Sequence, residues 1–339
     1  MKKVKLGVIG LGRLGMVHTR HLATLISDAE VKDVCALDQS QLNYAKDHFN
    51  VTTWVDYKEM IDSADIDAVV IVAPTGFHPE MVIYALNANK HVFCEKPVGL
   101  HLDDTVLLME KTVTAHPHLT FQLGFMRRYD ASYRHAKKII EDGQIGDIVY
   151  IRAYGIDPSS GMESFTKFAS DNDSGGIFVD MCIHDIDLIR WYTGMEPIQT
   201  WSMGNQIAAP ELKVIGEYET GVATLKFANG MVATLIGGRH AAHGNQVEME
   251  IMGSDGWLRI AQEPNKDFVT LFTHSGVVRP SMQSFSERFE LAFIDELKDF
   301  ITRVQYKQPG SITMADGIQA LRIAEACKQS AESGSLIAI

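Results

Sequence analysis

Three groups of residues have the types and spacing for chemistry. The first is Gly10-Leu11-Gly12-Arg13-Leu14-Gly15, which follows the apolar run Val4 to Ile9 and opens a helical pattern. Between a strand and a helix, Gly10 permits a tight turn. Gly12 lets backbone approach a pyrophosphate, and Gly15 lets helix and strand pack closely. Amides at the helix N-terminus then meet the anion. Gly10, Gly12, Arg13, Leu14 and Gly15 are therefore the expected dinucleotide contacts. Asp38 ends the next apolar run, about twenty residues on, where a carboxylate accepts both ribose hydroxyls of an adenosine. A 2′-phosphate would be repelled there, and no Arg or Lys follows to neutralise it. NAD is expected over NADP. A helix N-cap is the other reading of Asp38.

The second group is Glu95-Lys96-Pro97, after the apolar run His91 to Cys94. A lysine at a strand C-terminus, fixed by the proline, points into the crevice where open α/β sheets bind ligands. A surface lysine is the other reading. Ala73, Thr75 and His78 lie beyond another strand end and are expected beside the cofactor; His78 also reads as a plain helix-start residue. The third group is Asp180, His184 and Asp187, at i, i+4 and i+7 among Met181, Cys182, Ile183 and Ile186. Helical spacing puts all three on one face. Such groups on an apolar helix are costly to bury unless paired or used. An Asp one turn before a His can hold the imidazole tautomer and stabilise its cation, which suits a general base. A satisfied core histidine and a metal site stay open, although spacing offers no third ligand and no metal is expected.

The elements that must position these groups come in two textures. Up to Gly124, strands alternate with helices. Val4–Ile9, Val31–Leu37, Ala68–Ala73, His91–Cys94 and Leu119–Leu123 read as strands. Helices are expected near Leu14–Leu25, near Pro79–Leu86, and from Asp103 or Asp104 to about Thr114. This alternation predicts a doubly wound parallel sheet of Rossmann type. After Gly124 come helices near Ser132–Glu141 and Phe178–Tyr192, with a strand at Ile148–Ala153. From about Lys213 strand follows strand, with hairpin turns at Asn229-Gly230 and Gly253-Ser254-Asp255-Gly256. Helices near Ser286–Val304 and Met314–Ser330 close the chain. The expected fold is α/β plus α+β. Residues 1–124 form an NAD-binding domain. Residues 125–339 form a substrate-binding and oligomerisation domain on a large, mainly antiparallel open sheet.

Composition narrows the partners. With 46% hydrophobic and 22% charged residues, the 339-residue chain is too apolar for disorder. A net charge of −12 argues against nucleic acid and against an anionic membrane surface. No run approaches the ~18 apolar residues of a membrane span. Gly10, Gly12 and Arg13 interrupt the apolar start, so no secretory leader is expected. Cys35, Cys94, Cys182 and Cys327 are scattered in apolar contexts, as buried thiols in a reducing cytoplasm would be.

The glycine motif, Glu95-Lys96-Pro97 and Gly175-Gly176-x-x-x-Asp180-x-x-x-His184-Asp185 occur in this order along the chain. In this it resembles the glucose-fructose oxidoreductase / inositol dehydrogenase (Gfo/Idh/MocA) family of NAD(P)-dependent oxidoreductases over nearly its whole length. The resemblance implies Lys96, Asp180 and His184 as the catalytic set, with Glu95 and Lys96 also near the cofactor. Gly124-Phe125-Met126-Arg127-Arg128-Tyr129-Asp130 is similar to the inositol 2-dehydrogenase branch. That implies Met126, Arg127 and Asp187 as further substrate contacts. Two stretches depart from the myo-inositol pattern, Gly155-Ile156-Asp157-Pro158 and His243-Gly244-Asn245. Both are expected to border the substrate, through Asp157 and His243. They leave myo-inositol, scyllo-inositol and other cyclic polyols or sugars open. The implied reaction oxidises a ring CH–OH to the inosose ketone with hydride transfer to NAD. The implied partners are a small neutral polyol and further copies of the chain, as a dimer or homotetramer through the C-terminal sheet. An NAD-dependent glycoside hydrolase and a non-enzymatic NAD-binding sensor are the other classes left open.

Overall fold

Short, nearly unbroken apolar runs make strands that helices can cover on both faces. A computed structural model describes residues 2–171 and 174–339. Six strands form one sheet: β1 (Val4–Ile9), β2 (Ala29–Cys35), β3 (Thr52–Trp54), β4 (Ala68–Ile71), β5 (His91–Glu95) and β6 (Phe121–Gly124). Their order is β3-β2-β1-β4-β5-β6 and every pairing is parallel. Helices α1 (Arg13–Thr24), α2 (Gln39–Phe49), α3 (Tyr57–Ser63), α4 (His78–Asn87) and α5 (Asp104–Ala115) make the crossovers. The strand order reverses between β1 and β4, which opens a crevice at their C-terminal ends. The short β3 and the helices flanking it lack a strong apolar run, and periodicity alone does not announce them.

Contacts divide the chain into Met1–Tyr129 with Leu291–Leu321, and Asp130–Glu290 with Arg322–Ile339. This differs from a single cut near Gly124, and the reason is a returning helix. Leu297, Phe300, Ile301 and Val304 share one helix face at i, i+3, i+4 and i+7. They join Leu6, Val8, Phe93 and Leu22 in the first unit's core.

The second unit contains α6 (Ala131–Glu141), β7 (Ile148–Pro158), α7 (Met162–Asp171), a π-helical turn (Phe178–Cys182) and α8 (Ile183–Thr193). There follow β8 (Pro197–Asn205), β9 (Thr220–Phe227), β10 (Val232–Ala241), β11 (Gln246–Gly253) and β12 (Trp257–Ile260). A small hairpin, β13 (Leu271–Thr273) and β14 (Gly276–Val278), precedes α9 (Phe285–Arg288), α10 (Glu290–Tyr306), α11 (Met314–Ser333) and β15 (Ile337–Ala338). The large sheet has the order β12-β11-β7-β10-β9-β8-β15. It is mainly antiparallel, with one parallel pair, β7 with β10. A long crossover through α7, α8, β8 and β9 makes that pairing possible. Alternation gives the sheet two faces. Ile151, Ala153, Leu225 and Leu235 are buried on one, while Trp201 and Met203 stand exposed on the other. All four cysteines are free and buried. Among the described residues no helix is long and apolar enough to cross a membrane.

Candidate active site

In the first unit the glycines have three different jobs. Gly10 has φ +92°, and a Cβ there would meet the Val72 carbonyl oxygen at 2.7 Å. At Gly15 a Cβ would stand 1.9 Å from the Gly10 carbonyl oxygen, so α1 can lie against the turn only without one. At Gly12 it would meet nothing within 4 Å. Nothing in the fold needs Gly12 bare, which leaves its open space for a ligand.

The helix starts point the same way. Asp38, Asp56 and Asp103 cap α2, α3 and α5 with their carboxylates. By contrast, α1 starts on Gly12 with no side-chain cap. Its first amides are thus left for an anion. Asp38 is both the cap and an exposed acid at the end of β2. Its Oδ1 accepts from Ser40 N at 2.7 Å and from Ser40 Oγ at 2.6 Å. These bonds hold the carboxyl below its usual pKa, so it stays ionised. A hollow of about 400 Å³ lies between them, lined by Gly12, Arg13, Met16, Ser40 and Tyr44. Uncapped amides and a bare glycine around one hollow, with an acid held by Ser40 of its wall, fit a dinucleotide.

Lys96 follows β5 and is half-buried. The residues beside it are fixed from within the unit. Glu95 turns its carboxylate inward, where Oε1 meets His18 Nε2 at 2.7 Å and Oε2 accepts from Lys96 N at 3.2 Å. His18 is wholly buried between Phe93 and Phe293. His78 is also buried: its Nδ1 lies 2.8 Å from the Pro97 carbonyl oxygen and its Nε2 2.8 Å from that of Ala73. Burial pushes its pKa down. His78 thus ties Ala73 to Pro97, Glu95 ties His18 to the Lys96 amide, and Thr75 sits on the turn between β4 and α4. Met126 and Arg127 are buried on the turn that follows β6.

In the second unit a row of glycines seats the acidic helix. Gly204, Gly221, Gly237 and Gly155 are in register across β8, β9, β10 and β7. A Cβ at Gly221 would press on Ile177 at 2.7 Å, and one at Gly237 on Cys182 Sγ at 2.5 Å. Bare at Gly221 and Gly237, the strip lets the π-helical turn lie against the sheet. That turn carries Asp180, and α8 continues to His184 and Asp187, both buried. The regular helix expected from Phe178 is thus wider at its start, a form frequent at functional sites.

Asp180 Oδ2 accepts from Arg239 Nη2 at 2.9 Å. Arg239, on β10, lies 3.8 Å from Glu217 Oε2 and stacks on Phe165 at 3.5 Å from the ring centroid. The two divergent stretches also meet, because Asn245 Nδ2 donates to Asp157 Oδ1 at 3.1 Å. His243 does not join them. It is exposed, bonds Gln246, and faces a separate hollow of about 430 Å³ with Glu263, Arg279 and Ser281. The backbone explains this: His243 lies on the turn between β10 and β11, and Gly244, at φ +123°, redirects the chain before Asn245. Among the described residues no three His, Cys, Asp or Glu side chains gather as a metal site would need. Sequence reading missed His18, Arg239 and Glu217, which belong to no local motif.

Two family profiles match this chain. An oxidoreductase family with an NAD-binding Rossmann fold covers residues 4–121, and a GFO/IDH/MocA C-terminal domain covers 133–259. Myo-inositol 2-dehydrogenase of Thermotoga maritima is 32% identical over 97% of this chain and 96% of its own length. A crystal structure of myo-inositol 2-dehydrogenase from Lactobacillus plantarum is 58% identical, covers 100% of both chains and superposes with a TM-score of 0.98. The scyllo-inositol dehydrogenase of Lactobacillus casei, with bound NAD(H) and scyllo-inositol, is 45% identical over 99% of both chains, with a TM-score of 0.96.

Proposed function

The chain belongs to the GFO/IDH/MocA family of NAD-binding oxidoreductases, and on that premise we propose that it oxidises one ring CH–OH of myo- or scyllo-inositol to the inosose ketone. The observation that carries this reading is the full-length likeness to inositol dehydrogenases, with Lys96, Asp180 and His184 all present. NAD, when bound, supplies the hydride acceptor. Gly10, Gly12, Arg13, Leu14 and Gly15 hold its pyrophosphate, Asp38 its adenosine ribose, and Ala73 and Thr75 border it. His184 accepts the hydroxyl proton, and Asp180 orients the imidazole and favours its cation. Lys96 donates to the same oxygen, and its charge favours the developing alkoxide. Asp157 and Asp187 accept hydrogen bonds from ring hydroxyls, and Arg127 donates to their oxygens beside Met126. A neutral substrate needs no basic patch, in keeping with the net charge of −12.

The exposed sheet face with Trp201 and Met203 supports association of two or four copies through the second unit. Four free, buried thiols suit the reducing cytoplasm.

The purified protein would be given NAD⁺ with myo-inositol, scyllo-inositol, chiro-inositol or glucose, and NADH absorbance followed. Turnover of an inositol is expected, and His184→Ala should lower its rate by roughly 10²–10⁴-fold. No turnover on any inositol overturns the substrate assignment.

A further inference from the structure

We propose that Arg239 is a positioning residue of this reaction: it fixes the Asp180 carboxylate and, through it, the imidazole of His184. Only 4% of Arg239 is exposed. Burying a guanidinium is costly unless carboxylates and close packing compensate it. Here Phe165 covers its face, Asp180 takes Nη2, and Glu217 stands beside the same nitrogen.

Glu217 is itself immobilised. It accepts from Ile177 N at 2.9 Å, Tyr218 N at 2.8 Å and Ser174 Oγ at 2.7 Å. Glu217 thus grips the backbone just before the π-helical turn, while Arg239 grips the carboxylate within it. Both fastenings act on one short segment, which ends four residues before His184.

The asymmetry of the two acids separates this from a simple buried ion pair. The Glu217 side chain is 4% exposed and committed to backbone, whereas that of Asp180 is 34% exposed. Arg239 therefore holds an acid that still faces outward. A planar guanidinium can stack on the ring and serve two carboxylates at once, which an ammonium cannot do.

This inference takes Asp180 and His184 as the reacting pair, and so rests on the proposed function. The test is a double-mutant cycle of Arg239→Gln with Asp180→Asn, assayed with the inositols and NAD⁺, with Arg239→Lys alongside. Arg239→Gln should lower kcat on the order of 10²-fold, the size of effect that small misplacements produce. KM for the polyol and NAD affinity should change far less. Arg239→Lys should recover part of the loss. In the Asp180→Asn background the further loss should nearly vanish, because both changes remove one coupled unit.

An unchanged kcat in folded Arg239→Gln, or losses that simply multiply, overturns the inference. Phe165→Leu keeps every charge and serves if Arg239→Gln does not fold. It should lower kcat more weakly, and no change would overturn the stacking argument. If the wild type turns over no inositol, the substrate assignment fails, and the Arg239 inference is then read from the His184 ring-nitrogen NMR shifts of both proteins. Identical shifts overturn it.

Discussion

The two units bring different materials to the proposed chemistry. The first works with backbone: uncapped amides of α1, bare glycines, and strand ends tied by His78. The second works with charged side chains: Asp180, His184, Asp187, Asp157 and Arg239, seated on a strip of glycines. An anion of fixed shape is well served by amides, because main chain is rigid and carries no titrating group. A proton transfer needs a group that changes charge, and such a group needs partners that hold it still. A substitution in the first unit should therefore act through shape, and one in the second through charge.

The sharpest way to break this contrast lies within one turn. A Cβ at Gly15 meets main chain at 1.9 Å, which cannot yield as a side chain can. Gly15→Ala should destabilise the fold by roughly 3 kcal/mol or more, seen as a sharp drop in melting temperature. Gly12 has φ −62° and open space, so Gly12→Ala should melt close to wild type while its NAD dissociation constant rises. Equal melting temperatures for the two variants would show that the turn makes no such division.

A smaller effect is expected where the first unit does use charge. His18→Ala would leave the buried Glu95 carboxylate without its 2.7 Å partner. The loss should be roughly 2 kcal/mol, measured as a lower urea midpoint at unchanged slope. His18→Gln, which keeps a donor, should recover part of it. A midpoint equal to wild type for His18→Ala would mean that the pair contributes nothing.

What the sequence shows and hides follows the same contrast. The parallel sheet and the glycine turn are legible because their signals are local: apolar runs, a three-glycine spacing, an acid after a strand. Gly155, Gly204, Gly221 and Gly237 look like unrelated residues until register aligns them. Arg239 meets Asp180 across 59 positions, and His18 meets Glu95 across 77. No periodicity reports such a pairing. The amphipathic face of α10 is legible too, but not that it returns to the first unit. A spacing of four between Asp180 and His184 fits an α-helix as well as a π-turn, so the wider turn had no separate signature.

The smallest expected effect sharpens the contrast where shape and charge share one residue. Asp38 caps α2 and, in the proposed role, reads the adenosine ribose. Asp38→Ala removes both functions: melting temperature should fall slightly, and the preference for NAD over NADP should shrink. Asp38→Ser separates them, because serine is a good N-cap but carries no charge to repel a 2′-phosphate. It should melt like wild type and discriminate like Asp38→Ala. Hydrogen bonds from Ser40 hold the wild-type carboxyl below its usual range, so it is ionised well before neutrality. Its discrimination should therefore stay flat between about pH 6 and 8, above the ordinary carboxylate range. If Asp38→Ser keeps the wild-type preference for NAD, the carboxylate is only a cap, and cofactor choice lies with the backbone after all.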